Sequence, residues 1–385
     1  MRALVRRHDV YIGRAFLTTL IAAIAILSTM VIIYDVAERL DKLSKASVLI
    51  SRANEASKSK DLPSAGALLF EYYATLLPFL WMKILPTACL LAAGLTVTWF
   101  ARQNELVPLV ASGVPTRRVL APVFLIAFAA VAALSIARET VVPGLSRRHD
   151  DLHRLFSDPD RNPDQIHDVG HFDDAGGARL SIATFVLSTK RIEGAYLVFR
   201  RDPNAGGHHV VLRYPVLDWD PVSRRWHAEK GGERRLLEPT ETGADVSPIR
   251  SDEPVPLEVD PRLLELRIRQ GVAMGLSSAE IRELSRSAFG DADRFALLLH
   301  QQWASPFATV VMLLLGLPLA WRLGRRRTVL RAFGVTLGLV ALYVFSDSVL
   351  TDMGSRGALS PVVSAWGAHV VFGALGFVMM TAIET

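Results

Sequence analysis

Six long apolar stretches constrain the fold of this 385-residue chain more than any other feature. They cover residues 15–34, 76–100, 119–137, 303–321, 329–350 and 361–383. Each has about the ~20 mostly apolar residues that an α-helix needs to cross a bilayer. Because backbone polar groups in lipid must bond within their own segment, we expect six transmembrane helices.

The first apolar stretch also begins like a secretory signal, since basic residues precede it in "MRALVRRHD". Its apolar run is about 20 residues, however, whereas the core of a signal peptide has ~7–15 residues. No small-residue cleavage motif closes the stretch cleanly. We therefore expect an uncleaved transmembrane helix at residues 15–34 rather than a removable leader.

Arginines in the short connecting segments predict the orientation. Three segments carry them: the start of the chain, the 102–118 connection and the connection after the fourth apolar stretch, with Arg2, Arg6, Arg7, Arg102, Arg117, Arg118, Arg322, Arg325, Arg326 and Arg327. If six helices alternate, these segments share one side, which the positive-inside rule makes cytoplasmic. Both termini are then cytoplasmic, and the long central segment lies outside.

The same arginines explain the net charge of +5. A nucleic-acid-binding protein of this charge needs a clustered basic face with interleaved aromatic residues. The sequence has loop arginines instead, which disfavours that function.

The central segment, 139–302, differs from the rest of the chain. Short runs of β-branched and aromatic residues, such as "GGARLSIATFVLST" and "EGAYLVFRRD", alternate with Gly, Pro, Asp and Asn. This spacing is typical of an antiparallel sandwich or roll. After Pro261 the pattern returns to helix, with Ser277 or Ser278 as a cap and Glu280 in the first turn. We predict domains at 1–138, 139–302 and 303–385.

Common catalytic and nucleotide-binding motifs are absent from the sequence, including G-x-x-x-x-G-K-[ST], H-E-x-x-H and G-x-S-x-G. His167 and His171 have the spacing of a helical zinc pair, but Gly170 between them indicates a loop and surface histidines. Cys89, the single cysteine, lies within an apolar stretch and is predicted to be a buried thiol. Asp347 is the best carboxylate candidate for intramembrane proteolysis, and it lacks a second carboxylate. No catalytic residue, metal or cofactor is predicted in this chain.

The 102–118 connection, "RQNELVPLVASGVPTRR", has the pattern of a short amphipathic helix. Leu106, Leu109 and Val110 recur at helical spacing, and Gly113 and Pro115 end the pattern. A connector lying in the membrane interface is one interpretation. The other is an amphipathic anchor for the groove of a cytoplasmic partner.

Basic residues near the apolar stretches are candidates for binding anionic groups. Arg39, Lys42 and Lys45 lie three residues apart beyond the first stretch, and Lys83 lies within the second. One interpretation is that Arg39, Lys42 and Lys45 form a solvated helix face whose positive charge is offset by nearby acidic residues. The other is that they form a basic rim that binds anionic groups. Lys83 either extends its ammonium group to the interface or meets substrate.

Gly334 and Gly338 in the fifth stretch have the small-xxx-small spacing that permits close contact between membrane helices. In a glycine-rich chain one such match also arises by chance. We retain both interpretations of this pair.

Several segments together resemble a known family. "YIGRAFLTTL", "ARQNELVPLVASGVPTRRVLAPV", "MGLSSAEIREL" and "SPFATVVMLLLGLPLA" are similar to the LptF/LptG (YjgP/YjgQ) permeases of the lipopolysaccharide export ABC transporter. The resemblance covers nearly the whole chain, and its start is more similar to LptG than to LptF. It implies an α+β membrane protein, with a periplasmic β-jellyroll domain between the third and fourth of six transmembrane helices.

The resemblance also implies partners and site residues. A coupling helix at about residues 103–113 would bind an LptB-like ATPase dimer, through Glu105, Leu106, Leu109, Ala111, Ser112 and Gly113. The resemblance places the basic residues Arg39, Lys42 and Lys45 in the region where such permeases meet lipid phosphates. From the residue patterns alone, Lys83 is a further candidate lipid contact and the Gly334–Gly338 face is a candidate interface with a paired LptF-like permease. LptC-like and LptA-like proteins would form the periplasmic bridge. ATP and Mg would bind to the ATPase, and the complex would sit in the bacterial inner membrane.

Two features depart from the family pattern. Asp35 and Asp41 interrupt the basic character of the rim, and residues 47–64 suggest a long polar loop, either an insertion or a disordered excursion. Two other functions stay open: a permease for another envelope lipid, and a membrane-tethered sensor or scaffold with an extracytoplasmic β-domain. A sensor needs a cytoplasmic output domain, whereas the predicted cytoplasmic parts are short.

Overall fold

The computed structural model describes residues 7–57, 64–105, 108, 115–157, 164–173, 178–199, 209–237, 245–257, 259–269, 275–286, 292–324 and 329–382. The helices in these ranges are α1 (Arg7–Ser57), α2 (Ala65–Arg102), α3 (Thr116–Thr140), α4 (Val142–Ser157), α5 (Pro261–Arg269), α6 (Ser278–Ser285), α7 (Ala292–Ala304), α8 (Phe307–Gly324), α9 (Val329–Ser355) and α10 (Pro361–Thr381). The strands are β1 (Gln165–Asp173), β2 (Ala178–Val186), β3 (Arg191–Phe199), β4 (His209–Asp220), β5 (Arg225–His227), β6 (Gly232–Leu237) and β7 (Asp245–Ile249).

The chain divides into two compact units. The first consists of Met1–Asp41, Pro63–His149 and Ala296–Thr385, and the second of Lys42–Leu62 and Asp150–Phe295. The first unit holds the apolar helices, and the second holds the sheet.

Within the described ranges, five helices are long and apolar enough to cross a membrane: α1, α2, α3, α9 and α10. A sixth span results if α7 and α8 are counted together, and these two helices meet at an angle of 48°. The continuous helix predicted at 303–321 is therefore wrong at its start. Pro306 has no N–H to donate to the carbonyl of Gln302, so the helix breaks between Ala304 and Phe307.

Helix α1 extends well beyond the 15–34 stretch, as predicted for the helix face that carries Arg39, Lys42 and Lys45. It runs through Arg7–Ser57, so the loop expected to begin at residue 47 is helical as far as Ser57. The rest of that predicted loop, 58–63, lies outside the described residues. The polar residues that suggested a loop instead extend the helix beyond the apolar stretch.

The apolar helices pack around a buried cluster in the first unit. Helix α2 packs against α3 and α8, while α9 and α10 pack against each other and against α8. The cluster includes Phe16 of α1, Ala88 of α2, Val123 of α3 and Leu313 of α8. Cys89 belongs to the same cluster and has no exposed area, so the prediction of a buried thiol is confirmed.

The described strands form one antiparallel sheet with the order β1-β2-β3-β4-β6-β7, and β5 also pairs with β4. The predicted short antiparallel strands in the centre of the chain are therefore confirmed. Each strand on this path pairs with a neighbour that is adjacent or nearly adjacent in sequence. The jellyroll arrangement implied by the family resemblance stays a prediction.

The loop predicted around His167 and His171 is wrong, because both residues lie in β1. The β1–β2 register shifts between His167 and Gly170, and Gly170 has a positive φ of 88°. This irregularity accommodates the glycine that suggested a loop. A ring nitrogen of His167 lies 2.9 Å from the hydroxyl of Thr184 on β2.

Buried side chains hold the sheet and its neighbouring helices together within the second unit. The indole N–H of Trp226 donates to the Val259 carbonyl over 2.7 Å. The Arg267 guanidinium of α5 lies 5.4 Å from the Phe172 ring centroid and 5.0 Å from that of Phe295. Ser277 and Glu280 form a capping box, which confirms the predicted helix start and selects Ser277 as the cap.

Charged side chains stabilise the exposed end of the β3–β4 pair. Two Asp218 carboxylate oxygens accept hydrogen bonds from Arg191 at 2.7 and 3.2 Å, which raises the pKa of the Arg191 guanidinium. In the following turn, hydrogen bonds from the Ser223 side chain and the Val222 N–H lower the pKa of Asp220. The charged forms of Arg191 and Asp220 are thus both favoured by their hydrogen-bond partners.

Candidate functional site

Helix α2 ends in a defined motif immediately before the predicted coupling residues. The N–H of Glu105 donates to the Phe100 carbonyl over 3.1 Å, and the N–H of Asn104 donates to the Ala101 carbonyl over 3.2 Å. Asn104 has a φ of 57°. These two bonds and the left-handed residue form a Schellman motif, which stops the helix and sets the direction of the chain. Asparagine here takes the place that glycine most often has, because it tolerates positive φ.

Two other helices converge on this end of α2. The Tyr11 ring of α1 lies 5.4 Å from the Phe100 ring, edge to face, and the Tyr11 hydroxyl interacts electrostatically with the Glu105 carboxylate. Asp9, near the start of α1, lies 4.0 Å from Arg118 in the first turn of α3. The connection between α2 and α3 is thus anchored to three helices. We call Asp9, Tyr11, Phe100, Glu105 and Arg118 the anchor cluster.

The structure places only part of the predicted coupling helix. Glu105 is described and half-buried within the anchor cluster, and Pro108 is helical and exposed. The next described residue after Pro108 is Pro115, the N-cap residue of α3. The other predicted coupling residues lie outside the described residues: Leu106, Leu109, Ala111, Ser112 and Gly113.

The anchor cluster has a mechanical consequence. Phe100 of α2 is buried in the same apolar cluster as Ile12 and Phe16 of α1 and Val119 of α3. Protein interiors are close-packed and deform little, so a displacement applied between residues 105 and 115 acts on all three helices together. Asp9 and Tyr11 were missed by the sequence analysis. Their partners are about a hundred residues away along the chain, and no local pattern indicates such a contact.

The predicted basic rim is modified by its acidic neighbours. Arg39 lies 2.9 Å from Asp35, one helical turn earlier. The same Asp35 accepts a hydrogen bond from the Tyr73 hydroxyl of α2 over 3.2 Å. Asp35 therefore neutralises part of the Arg39 charge and fixes α1 to α2. Lys42 and Lys45, three and six residues further along α1, are exposed.

Lys83 is exposed on α2. Two residues before it, the Trp81 indole donates to the Ser28 hydroxyl of α1 over 3.2 Å. The ammonium group of Lys83 thus lies on a part of α2 whose path relative to α1 is fixed. This exposure is compatible with both interpretations of Lys83, because a flexible stem reaches either the interface or a ligand.

The glycines of α9 and α10 divide into two groups. A Cβ atom added to Gly334 or Gly338 of α9 meets no atom of the described residues within 4 Å. In contrast, a Cβ at Gly354 lies within 2.5 Å of Ser364 on α10, and a Cβ at Gly367 lies 3.0 Å from Leu350. Close helix contact within the chain therefore involves Gly354 and Gly367. No described residue covers the Gly334–Gly338 face within that distance.

A polar cluster that the sequence analysis missed surrounds the break between α7 and α8. The Arg138 guanidinium of α3 donates to the Gln302 carbonyl and the Ser305 hydroxyl over 3.5 and 3.4 Å. The Gln302 side chain donates to Glu139 over 3.3 Å. Pro306 leaves the Gln302 carbonyl without its helical donor, so Arg138 and Ser305 satisfy it instead. The Ser305-Pro306 pair is the sequence signal that could have predicted this break in the helix.

Metal ligands are not clustered in the part of the chain that the structure describes, since no group of three or more His, Cys, Asp or Glu residues is close enough to hold an ion. The geometry at the anchor cluster is suited to transmitting force, and the exposed lysines are suited to binding anions.

A known protein family matches most of the chain. The family model described as "Lipopolysaccharide export system permease LptF/LptG" matches residues 60–382. A comparison with curated proteins gave no match.

Proposed function

The chain belongs to the LptF/LptG family of lipopolysaccharide export permeases, and from this premise we propose that it is the LptG-like subunit of an ATP-driven exporter. The family is the permease of the lipopolysaccharide export system, so the chain is a multi-pass inner-membrane protein and a permease subunit rather than an enzyme. Our proposal adds the direction of transport. Lipopolysaccharide leaves the outer leaflet of the inner membrane and passes to a periplasmic bridge.

The anchor cluster supports an ATP-driven mechanism. Its residues hold both ends of the 105–115 segment against α1, α2 and α3 through Tyr11, Glu105 and the Asp9–Arg118 contact. An ATPase that pushes this segment moves three helices at once. We propose that Glu105, Leu106, Leu109, Ala111, Ser112 and Gly113 bind an LptB-like ATPase dimer, which holds the ATP and Mg.

The basic residues support an anionic lipid as cargo. We propose that Lys42 and Lys45 meet phosphate groups directly, because both are exposed. Arg39 contributes less, since Asp35 already pairs with it at 2.9 Å. Lys83 is the fourth proposed lipid contact, because an ionisable residue within an apolar membrane helix most often has a function.

The remaining partners follow from the two units of the chain. We propose that the open Gly334–Gly338 face contacts a paired LptF-like permease, because a helix backbone without side chains permits close approach. We propose that residues 139–302 form the periplasmic domain, of jellyroll type, and that both termini are cytoplasmic. LptC-like and LptA-like proteins would receive the lipid from this domain.

Reconstitution tests the function directly. The chain is purified with its co-expressed ATPase and paired permease, placed in liposomes containing lipopolysaccharide, and supplied with a periplasmic acceptor protein. We expect ATP-dependent transfer of lipopolysaccharide to the acceptor. Matched liposomes with only phospholipid serve as the control for cargo.

Two results would contradict the proposal, and each favours one alternative. Transfer of a different lipid without transfer of lipopolysaccharide favours a permease for another envelope lipid. Purification of the chain from native membranes without any ATPase favours a tethered sensor or scaffold.

A further inference from the structure

Helices α9 and α10 carry a polar cluster that the proposed transport function does not use. His369 of α10 lies with its Nδ1 atom 3.6 Å from Oδ1 of Asp347 on α9. On the other side of the ring, Nε2 lies 3.2 Å from the Tyr343 hydroxyl. The Tyr343 and His369 rings also meet edge to face, with centroids 5.7 Å apart.

The cluster lies inside the membrane helices rather than at their ends. Asp347 is eight residues before Ser355, where α9 ends, and His369 is eight residues after Pro361, where α10 begins. At 1.5 Å per residue, both lie about 12 Å from the connection between the two helices. The side chain of His369 is 7% exposed and that of Asp347 is 38% exposed.

The surroundings of the pair are mostly apolar. Helix α8 contributes Val311, Met312 and Leu315 to the same buried cluster as Tyr343. Within α10, the Trp366 ring lies 6.4 Å from the His369 ring, and the Ala365 carbonyl is a further acceptor near it. The groups that face His369 from the described residues are therefore one carboxylate, one hydroxyl, one carbonyl and apolar side chains.

This arrangement suits an added proton. Nδ1 of His369 is buried and makes no hydrogen bond of ordinary geometry with the described residues, although two acceptors, Asp347 and the Ala365 carbonyl, lie near it. A neutral histidine beside an ionised Asp347 leaves one net negative charge among membrane helices, which is costly. A proton taken from water makes the pair net neutral, whether it resides on the carboxylate or on the ring. A ring that donates from both nitrogens has an acceptor on each side, because a hydroxyl also accepts.

We propose that Asp347 and His369 bind one proton between them and that this proton strengthens the contact between α9 and α10. In this step a hydronium ion loses one O–H proton and becomes water, and the Asp347–His369 pair, which gains that proton, gains one positive charge. The titration belongs to the pair rather than to either residue. If the chain works as the proposed permease, proton release would loosen the attachment of α9, and that consequence alone rests on the proposed function.

Thermal unfolding of the full chain in lipid nanodiscs, measured at several pH values, tests the proposal. Histidine changes charge between about pH 5 and 8, so we compare melting temperatures from about pH 5.5 to 8.5. A proton that the folded pair holds more tightly than the unfolded chain does stabilises the fold at low pH, so the wild-type melting temperature should fall as the pH rises. A wild-type melting temperature that stays constant or rises over this range overturns the proposal. Asp347→Asn should reduce this fall, since an amide leaves no net negative charge at high pH.

Asp352→Asn is the matched control, because Asp352 lies on the same helix and pairs with Arg356 over 2.8 Å in an exposed position. It should keep the wild-type pH dependence. An Asp347→Asn protein with the same pH dependence as wild type and Asp352→Asn overturns the proposal.

A second measurement covers the case in which Asp347→Asn does not fold. The His369 signals are identified by ¹⁵N NMR as those missing from His369→Gln protein, and infrared spectra of the wild type follow protonated carboxyl groups. A change in either signal over this pH range supports the shared proton. Constant His369 and carboxyl signals overturn it. Neither measurement uses transport, so the result is independent of the proposed function.

Discussion

At the scale of single residues, Glu105 is the one predicted coupling residue that the structure describes. Its backbone N–H closes the Schellman motif of α2, and its carboxylate interacts with Tyr11 of α1. Its position is therefore defined by two helices before the coupling segment begins. The carboxylate of Glu105 is therefore held in a defined position, and binding to a partner groove requires such preorganised side chains.

Charge reversal at Glu105 tests this role. We expect Glu105→Lys to bind the partner ATPase at least about tenfold more weakly, which corresponds to about 1.4 kcal/mol or more. Like-charge contact at the interface and loss of the electrostatic interaction with Tyr11 are the physical reasons. The measurement is the amount of ATPase that co-purifies with the chain as salt is varied.

Glu229→Lys is the matched control for that experiment. Glu229 is exposed in the turn between β5 and β6, so the same charge change there should leave ATPase binding intact. If Glu105→Lys retains the ATPase as well as Glu229→Lys does, the proposed role of Glu105 is wrong.

At the scale of elements, the break between α7 and α8 shows how a membrane helix satisfies an interrupted hydrogen-bond ladder. Pro306 removes one donor, and Arg138 from α3 supplies another to the Gln302 carbonyl. Since water is scarce in the bilayer, each unsatisfied carbonyl is costly. The bend is therefore tied to α3 through this side chain.

The variant Arg138→Met keeps an unbranched, flexible side chain and removes the guanidinium donors. We expect it to lower the free energy of unfolding by about 1–2 kcal/mol, because Ser305 remains as a second donor to the same carbonyl. Thermal or denaturant unfolding in detergent measures the effect. In a Pro306→Ala background the restored N–H should reduce the cost of Arg138→Met, and an equal cost in both backgrounds would refute the explanation.

Glycines in the membrane helices provide a second element-scale prediction. A Cβ at Gly376 lies 2.7 Å from the Cβ of Leu314 on α8, so Gly376→Val should destabilise the chain by ~1–3 kcal/mol. Gly338→Val should leave the isolated chain stable, since a Cβ there meets nothing within 4 Å. It should instead reduce co-purification of the paired permease. Equal co-purification with Gly338→Val and wild type would exclude this face as the subunit interface.

At the scale of the whole molecule, the proposed orientation separates the sheet from the coupling segment by the membrane. Val222, in the turn between β4 and β5, is 90% exposed, and Gln103 is exposed at the end of α2. The only native cysteine, Cys89, is completely buried and is replaced by serine for labelling experiments. Single cysteines at these two positions therefore report on the two sides.

We expect Val222→Cys to react with a membrane-impermeant maleimide in spheroplasts with an intact inner membrane. Gln103→Cys should react only after the membrane is opened, because the proposed orientation puts the arginine-rich connections in the cytoplasm. Each variant controls for the reactivity of the other. The opposite labelling pattern would place the coupling segment outside the cell and remove the proposed ATPase contact.

The sequence by itself determined the elements that depend on local composition. Apolar length predicted the membrane helices, alternation and turn residues predicted the short strands, and Ser277 with Glu280 predicted a helix start. Local rules sufficed there because hydrophobic burial, strand pairing and capping act on neighbouring residues. The same rules failed where two signals competed, as at β1, where Gly170 suggested a loop inside a strand.

Only the tertiary structure decided which distant residues meet. The pairs Asp9–Arg118, Arg138–Gln302 and Asp347–His369 each join different helices, and no periodicity in the sequence links them. It also showed that Asp35 reduces the charge of Arg39 and that the open glycines are Gly334 and Gly338. The physical reason is that these contacts depend on how rigid helices pack, and packing is a property of the assembled chain rather than of any segment of it.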